Sequence, residues 1–249
     1  MKEIARILYG SNNYNLDGPE SDKDYKVIMC PHWNDLYTKR EVSLSDMDFS
    51  YDHEHYSAMD CRQFDSLLHK CNPNILEMVY STDINYSNDD MHSYINRAKD
   101  LLSNGYIALH WKEFYAASQG LALNALKRYG AIPKSVSRSW YISQLVEDVA
   151  LHNFCMGVFT WRDNWYSAKA REIRYETDKL SDLDLLLTSK YIKDRFTYNK
   201  EVLENEAKNW IDTHQHEVEN LYTTAAQLTN IMKELVLNEL KEELHFEFV

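Results

Sequence analysis

The sequence has little cysteine and no long apolar run. Its four cysteines, at positions 30, 61, 71 and 155, show neither C-x-x-C spacing nor a compact framework, which excludes a disulfide-rich scaffold and predicts reduced thiols. No apolar segment approaches the roughly 18 residues of a membrane span. The first residues also lack the apolar core and cleavage site of a signal peptide. We therefore expect a soluble, cytoplasmic protein without a membrane partner.

Basic residues are scarce as well. Lys and Arg number 27 against 39 Asp and Glu, so the net charge is -12 and the pI is near 5.3. This balance disfavours a long nucleic-acid track, because such binding depends on neutralising many phosphates. It does not exclude a small phosphate ligand that arrives with metal ions.

Glycine and proline are also few, six and four in number, and they divide the chain unevenly. Up to about residue 80, short apolar runs such as "IARILYG" and "KVIMCPHW" alternate with turn-forming residues and predict strands. Later segments show helical periodicity, as in the stripe from Met91 to Leu102. With 44% hydrophobic residues the chain can build a core. We predict an α+β fold, in which a small mixed β-sheet domain over residues 1–90 precedes an all-helical domain over residues 91–249.

One helix of the N-terminal part can be bounded from sequence. "DCRQFDSLLHKCNPNILEM" carries apolar residues at helical spacing, and Asp60 is placed to cap the helix that follows it. The pair Asn72-Pro73 ends that helix, because the residue before proline is pushed out of the helical region. Pro73 then opens a second, short helix.

The segment "YGSNNYNLDGPESDKDYK", residues 9 to 26, carries the main functional signal. Asp22 and Asp24 lie two apart, so on a strand both carboxylates point to one face. Such a pair can hold Mg²⁺ together with the phosphate oxygens of a nucleotide. Gly10 permits a sharp turn, where Ser11 and adjacent amides can bind phosphate. We interpret the two motifs as halves of one site.

These residues resemble the predicted nucleotidyltransferases of the DNA polymerase β superfamily, in the RNA-ligase-associated polymerase-β-like branch that is also common in bacteriophages. Members carry Gly-Ser, a Tyr, an apolar residue and Ser-Asp-x-Asp, matched here by Gly10, Ser11, Tyr14, Leu16, Ser21, Asp22 and Asp24. They also carry Asn-Pro-Asn and a Glu after a helix, matched by "KCNPNILEM" with Glu77. The specific matches cover about the first 80 residues; beyond them only "PKSVSR" at residues 133 to 138 loosely resembles the family. The resemblance implies a Mg²⁺- or Mn²⁺-dependent nucleotidyltransferase in which Ser21 also binds the nucleotide.

The resemblance also implies a third metal-binding carboxylate on a neighbouring strand, and here the sequence departs from the family. The best register against the family places His55 there, and histidine is a poor Mg²⁺ ligand. Strand parity in "DHEHYSAMD" offers Glu54, with Asp52 and Asp60 as alternatives. We expect Glu54 to be the third ligand. The pair His53 and His55 does not by itself predict a zinc site, because no partner ligands have a fixed spacing to it.

A basic stretch later in the chain offers further contacts to phosphate. Between Phe114 and Val146 there are four bases and no acid. Lys127 and Arg128 suit the end of a helix, where cations complement the helix dipole. Lys134 and Arg138 are left as candidates for nucleotide binding, alongside a purely structural role.

Two functions are therefore expected from the sequence. The first is an enzyme that transfers a nucleoside monophosphate from a nucleotide triphosphate to a hydroxyl acceptor and releases pyrophosphate; an RNA or tRNA end, a protein or a small molecule all suit this chemistry. The second is a catalytically inactive nucleotide-sensing or interaction module on the same fold.

Overall fold

The computed structural model describes residues 1–18, 21–37, 49–155, 165–176 and 180–247. Within these ranges the strands are β1 Lys2–Tyr9, β2 Lys23–Cys30, β3 Phe49–Tyr51, β4 Glu54–Asp60 and β5 Ile84–Tyr86. The helices are α1 Trp33–Tyr37, α2 Cys61–His69, α3 Pro73–Val79, α4 Asp89–Ser103, α5 Tyr106–Leu109, α6 Trp111–Tyr129, α7 Pro133–Leu151, α8 Trp165–Tyr175, α9 Asp182–Thr213 and α10 Gln215–Glu247. A short 3₁₀ turn at Gly10–Asn12 follows β1. The predicted α+β class with a mixed sheet is confirmed.

The sheet has the strand order β3-β4-β2-β1-β5. β2 runs antiparallel to β1 and parallel to β4, while β3 and β5 are antiparallel edge strands. The parallel pair is possible because the chain between β2 and β4 is long enough for a crossover. This order puts the strand of the two aspartates at the centre of the sheet, between β1 and β4.

The two faces of the sheet differ in what they contact. Through Ile7, Ile28 and Met59, one face joins the main buried core, which also contains residues of the helices. The other face carries a separate small cluster: Leu8, Tyr25, Val27, Met29, Tyr56 and Ala58. Because side chains alternate along a strand, a shift of one residue in register would exchange the two sets.

The helix boundaries predicted around residue 70 are confirmed. The Asp60 carboxylate accepts a hydrogen bond from the backbone N–H of Arg62 at 2.8 Å and caps α2. Asn72 caps α3 in the same way, with Pro73 in the first turn. The buried stripe from Met91 to Leu102 is likewise present on α4.

Among the described residues, the sheet and the helices share one buried core. One buried cluster runs from Ile4 on β1 to Leu240 on α10, so the division into residues 1–90 and 91–249 stays a prediction. The helix expected after Pro133 ends at Leu151, and residues 156–159 of that predicted segment lie outside the described residues. No helix within the described ranges is long and apolar enough to cross a bilayer. The four cysteines are free thiols.

Candidate functional site

The two sequence motifs meet where β1 ends and β2 begins. Tyr9, the last residue of β1, is paired with Asp24 on β2, so the turn that starts at Gly10 lies directly beside the Asp24 side chain. A Cβ atom built on Gly10 would lie 3.1 Å from the Asp24 carboxylate oxygen Oδ2. Glycine allows the two groups to approach, and it also permits the positive φ of +82° that the turn requires.

The turn offers hydrogen-bond donors that no other described residue uses. Neither the backbone N–H nor the hydroxyl of Ser11 has a hydrogen-bond partner among the described residues. Ser11 is half-buried. Unused amide and hydroxyl donors beside a carboxylate pair are what a metal-bound phosphate group needs.

Two asparagines fix this turn to the neighbouring strands. The side-chain amide of Asn12 donates to the backbone oxygen of Asp22 at 3.1 Å, and that of Asn13 donates to the backbone oxygen of Leu8 at 2.8 Å. The turn is therefore tied both to the strand it follows and to the entry of the aspartate strand. The sequence interpretation missed both residues, although the "SNN" run after glycine is the kind of side chain that closes turns onto backbone groups.

A buried glutamate lies beneath the turn. Glu77 on α3 is 1% exposed and accepts hydrogen bonds from the backbone N–H of Gly10 and from the hydroxyl of Tyr14. Burial raises the pKa of Glu77 to about 7, against the lowering effect of its donors and of the Arg138 charge. The Glu that follows Asn-Pro-Asn thus contacts the Gly-Ser turn from below rather than the aspartates.

We define the aspartate face as the surface formed by Tyr9, Asp24, Lys26, His55 and Ser57. These residues align across three strands, because Tyr9 and His55 are both register partners of Asp24, and Ser57 is the partner of Lys26. Asp22, two residues before Asp24, continues this face beyond the end of the strand.

The expectation that Glu54 supplies the third carboxylate is wrong in its geometry. Parallel pairing of β2 with β4 aligns Asp24 with His55, which leaves Glu54 on the opposite face of the sheet. There its carboxylate accepts a hydrogen bond from the hydroxyl of Tyr56, whose ring stacks on Tyr25 at 5.5 Å. The competing register, with His55 beside the aspartates, is the one in the structure.

The two alternative carboxylates do not reach the aspartates either. Asp60 is fully buried at the far end of β4, where it caps α2 and pairs with Arg62. Asp52 lies with His53 in the two-residue turn that joins β3 to β4, and both have positive φ, as a type I′ hairpin turn requires. Strand parity therefore does not apply to Asp52, which lies outside β4.

Histidines stand next to both aspartates. The Nδ1 atom of His55 lies 3.5 Å from Oδ1 of Asp24, and the Nδ1 atom of His53 lies 3.5 Å from Oδ1 of Asp22. Among the described residues no group of three His, Cys, Asp or Glu side chains is arranged to hold a metal ion. The aspartates therefore provide two carboxylate ligands, and any further ligands must come from a substrate, from water or from a rotated imidazole.

Deeper on the aspartate face, a lysine takes the space next to Asp24. The Nζ atom of Lys26 donates to the hydroxyl of Ser57 at 2.6 Å and lies 5.0 Å from the centre of the Tyr9 ring. The Tyr9 hydroxyl also contacts the Ser57 hydroxyl at 3.3 Å. These three residues form a polar floor of the site, which the sequence interpretation did not identify.

Two bases from α7 act on the same region. The charges of Lys134 and Arg138 both lower the pKa of Asp24, but burial has the larger effect and raises that pKa above its usual value. The charge of Arg138 also acts on Tyr9 and Glu77. Lys134 is exposed and Arg138 half-buried. The structure thus brings these two predicted residues to the aspartates, one helical turn apart on one helix face.

Ser21 has a local role in the structure. Its hydroxyl accepts a hydrogen bond from the backbone N–H of Gly18 at 2.8 Å, shortly before β2 begins. The chain at residues 15–17 is held by α8, where Arg171 donates to the backbone oxygens of Asn15 and Asp17 at 3.0 and 2.9 Å. No sequence signal marked Arg171, because it lies more than 150 residues from its partners.

A scan against protein-family models found no match to this chain, and a search of the curated proteins also found none. The geometry of the site therefore carries the functional argument by itself.

Proposed function

We propose that the protein is a metal-dependent nucleotidyltransferase of the DNA polymerase β type, which transfers a nucleoside monophosphate from a nucleotide triphosphate to a hydroxyl acceptor. The observation that carries the proposal is the meeting of the Gly10–Ser11 turn with Asp22 and Asp24. Unused donors and two carboxylates there lie within reach of one phosphate chain.

The residues present fit a divalent cation in part. Asp22 and Asp24 supply two oxygen ligands, and Mg²⁺ is commonly bound by one or two carboxylates with phosphate and water completing its shell. A bound cation would neutralise the phosphates and polarise the α-phosphate. On β4 the family's third carboxylate is replaced by His55, an imidazole that suits Mn²⁺ better than Mg²⁺.

The chain's own residues would then bind and orient the triphosphate. Ser11 would donate its backbone N–H and its hydroxyl to phosphate oxygens, while Lys134 and Arg138 would balance the negative charge that pyrophosphate carries away. The acceptor oxygen forms a bond to the α-phosphorus as the bond to pyrophosphate breaks, and the hydroxyl proton is released. An RNA or tRNA end, a protein hydroxyl and a small-molecule hydroxyl all remain suitable acceptors.

The test is a transfer assay with labelled nucleoside triphosphates and either Mg²⁺ or Mn²⁺, offered to short RNAs, tRNA, proteins and the enzyme itself. We expect labelled product and pyrophosphate from the wild type and neither from Asp24→Asn. Glu54→Gln, on the opposite face, serves as the matched carboxylate control and should retain transfer. Equal transfer by wild type and Asp24→Asn would contradict the proposal.

A second candidate function is a nucleotide-binding module without catalysis. It is favoured by one observation, that β4 presents His55 and Ser57 to the aspartates and no carboxylate. This alternative predicts triphosphate binding that depends on Asp24, with no product and no pyrophosphate for any acceptor under either metal.

A further inference from the structure

The most completely buried acid near the site takes no part in the chemistry proposed above. Glu77 is 1% exposed, yet both of its carboxylate oxygens are used. One accepts from the backbone N–H of Gly10 and the other from the hydroxyl of Tyr14. Two residues of a single turn thus converge on one side chain from another element, α3.

This contact decides which donors of the turn remain available. Because Glu77 occupies the Gly10 N–H, that amide is directed into the protein, and the next donors along the chain belong to Ser11. Both groups that bond to the carboxylate are donors. An ionised carboxylate, which only accepts, matches them, whereas the –NH₂ group of an amide side chain would face another donor.

We propose that Glu77 is a positioning residue for phosphate binding, whose carboxylate holds Gly10 and Tyr14 so that the unused donors of Ser11 stand beside Asp24. This inference rests on the proposed function, because it assigns a partner to the phosphate end of the same site. Glu77 acts through the turn and does not touch the substrate.

The role of Glu77 can be tested by changing the pH. Burial raises its pKa to about 7. The tyrosines that face it, Tyr14 from the turn and Tyr9 from β1, have pKa values raised above their usual 10 by burial, and Arg138 from α7 also acts on it. On the other side of Gly10 lies the Asp24 carboxylate, whose pKa burial also raises, so the Glu77→Gln variant is needed to identify the part of the titration that belongs to Glu77.

The first measurement follows the backbone amide of Gly10 by ¹H–¹⁵N NMR in the wild type without nucleotide. We expect its proton resonance to move with a midpoint near pH 7 and this step to be absent in Glu77→Gln. As a matched control, Glu239→Gln alters another buried glutamate, one that pairs with Lys2 at the far end of β1, and should leave the Gly10 titration intact. A Gly10 resonance that does not titrate with Glu77 would overturn the inference.

The second measurement is affinity for non-hydrolysable analogues of the four ribonucleoside triphosphates with Mg²⁺. We expect Glu77→Gln to weaken binding on the order of tenfold and Glu239→Gln to leave it unchanged. Tyr14→Phe removes one donor and keeps the Gly10 contact, so it should weaken binding less, and it provides the test if Glu77→Gln does not fold. Unchanged affinity in both turn variants would also overturn the inference.

The two measurements separate this inference from the proposed function. If the Gly10 amide titrates with Glu77 but the wild type binds none of the analogues, the proposed function fails. In that case a role of Glu77 in phosphate binding is also refuted, and Glu77 serves only to fix the conformation of the turn.

Discussion

At the level where β1 ends, the two faces of the sheet are built from alternate residues of the same strands and differ completely in character. On the aspartate face, Asp24 and His55 lie side by side under the charges of α7. On the opposite face, Tyr25 stacks on Tyr56, and Glu54 bonds to the hydroxyl of Tyr56. Neighbouring residues of β4, Glu54 and His55, therefore have unrelated surroundings.

The difference shows that register, and not the type of residue, selects the members of this site. Glu54 is chemically the better Mg²⁺ ligand, yet the parallel alignment of β2 with β4 turns it away and presents an imidazole instead. A slip of one residue would reverse the assignment. Substitutions on the two faces should therefore differ in their effect on nucleotide binding.

Substitutions of Asp24 and Glu54 should show the greatest difference in triphosphate binding. Asp24→Asn should weaken the binding of a triphosphate analogue with Mg²⁺ about 100-fold, because one oxygen ligand loses its charge. Its melting temperature should stay equal or rise slightly, since burial already disfavours the Asp24 charge. Glu54→Gln should change binding little. Calorimetric titration of the two variants checks this, and a loss of binding in Glu54→Gln equal to that in Asp24→Asn would show that the faces are not distinct.

The next effect is on stability and concerns Glu77 beneath the aspartate face. Burial raises its pKa from 4.5 to about 7, so the folded state keeps a proton that the unfolded chain releases. This contribution is complete below pH 4.5 and is lost as the pH rises to about 7. The wild type should lose about 3 kcal/mol of unfolding free energy relative to Glu77→Gln between pH 4.5 and pH 8. Urea unfolding at a series of pH values measures this loss. If the unfolding free energies of the wild type and Glu77→Gln differ by the same amount at every pH, the burial of this charge is contradicted.

A smaller effect is expected at Gly10. In Gly10→Ala the new Cβ would lie 3.1 Å from Oδ2 of Asp24 at a φ of +82°, so it should reduce stability by about 1–2 kcal/mol and weaken triphosphate binding roughly tenfold. Gly130 is the matched control, because it also has a positive φ, +74°. Apart from its neighbours in the chain, no atom of the described residues would lie within 4 Å of a Cβ atom added to Gly130. Gly130→Ala should lose stability and keep its affinity. Equal affinities for the two variants would show that the turn does not contact phosphate.

The smallest effect is expected for the hydroxyl of Ser11. Ser11→Ala removes one donor and leaves the backbone N–H groups in place, so it should cost about 0.5–1.5 kcal/mol of binding free energy. Stability should not change, because the Ser11 hydroxyl has no partner among the described residues to lose. Binding and thermal unfolding of the same preparation check both statements, and a drop in melting temperature without a drop in affinity would assign the hydroxyl a structural role.

Local sequence signals were sufficient for some parts of this structure. The Asp60 and Asn72 caps and the stripe on α4 follow from spacing and capping chemistry within one segment. The proximity of Gly10 to Asp24 also follows, because a strand, a turn and a second strand bring their ends together. These features depend on residues that are close in the chain.

Other parts depend on contacts that no local pattern contains. Glu54 was expected in the site because parity defines two faces of a strand without saying which one meets its neighbour, and that choice is made by pairing with β2. The hydrogen bond between Glu77 and Gly10 joins residues that are 67 positions apart in the sequence, and the hydrogen bond between Arg171 and Asn15 joins residues more than 150 positions apart. Distances of this kind are fixed by packing of the whole chain.

The most direct test of the account is a crystal structure with a non-hydrolysable nucleoside triphosphate and Mn²⁺, in which anomalous scattering locates the metal. We expect Mn²⁺ in contact with the Asp24 carboxylate on the side of His55, with the triphosphate against the backbone N–H and hydroxyl of Ser11. A metal on the side of Glu54, or a triphosphate bound away from the Gly10–Ser11 turn, would contradict it.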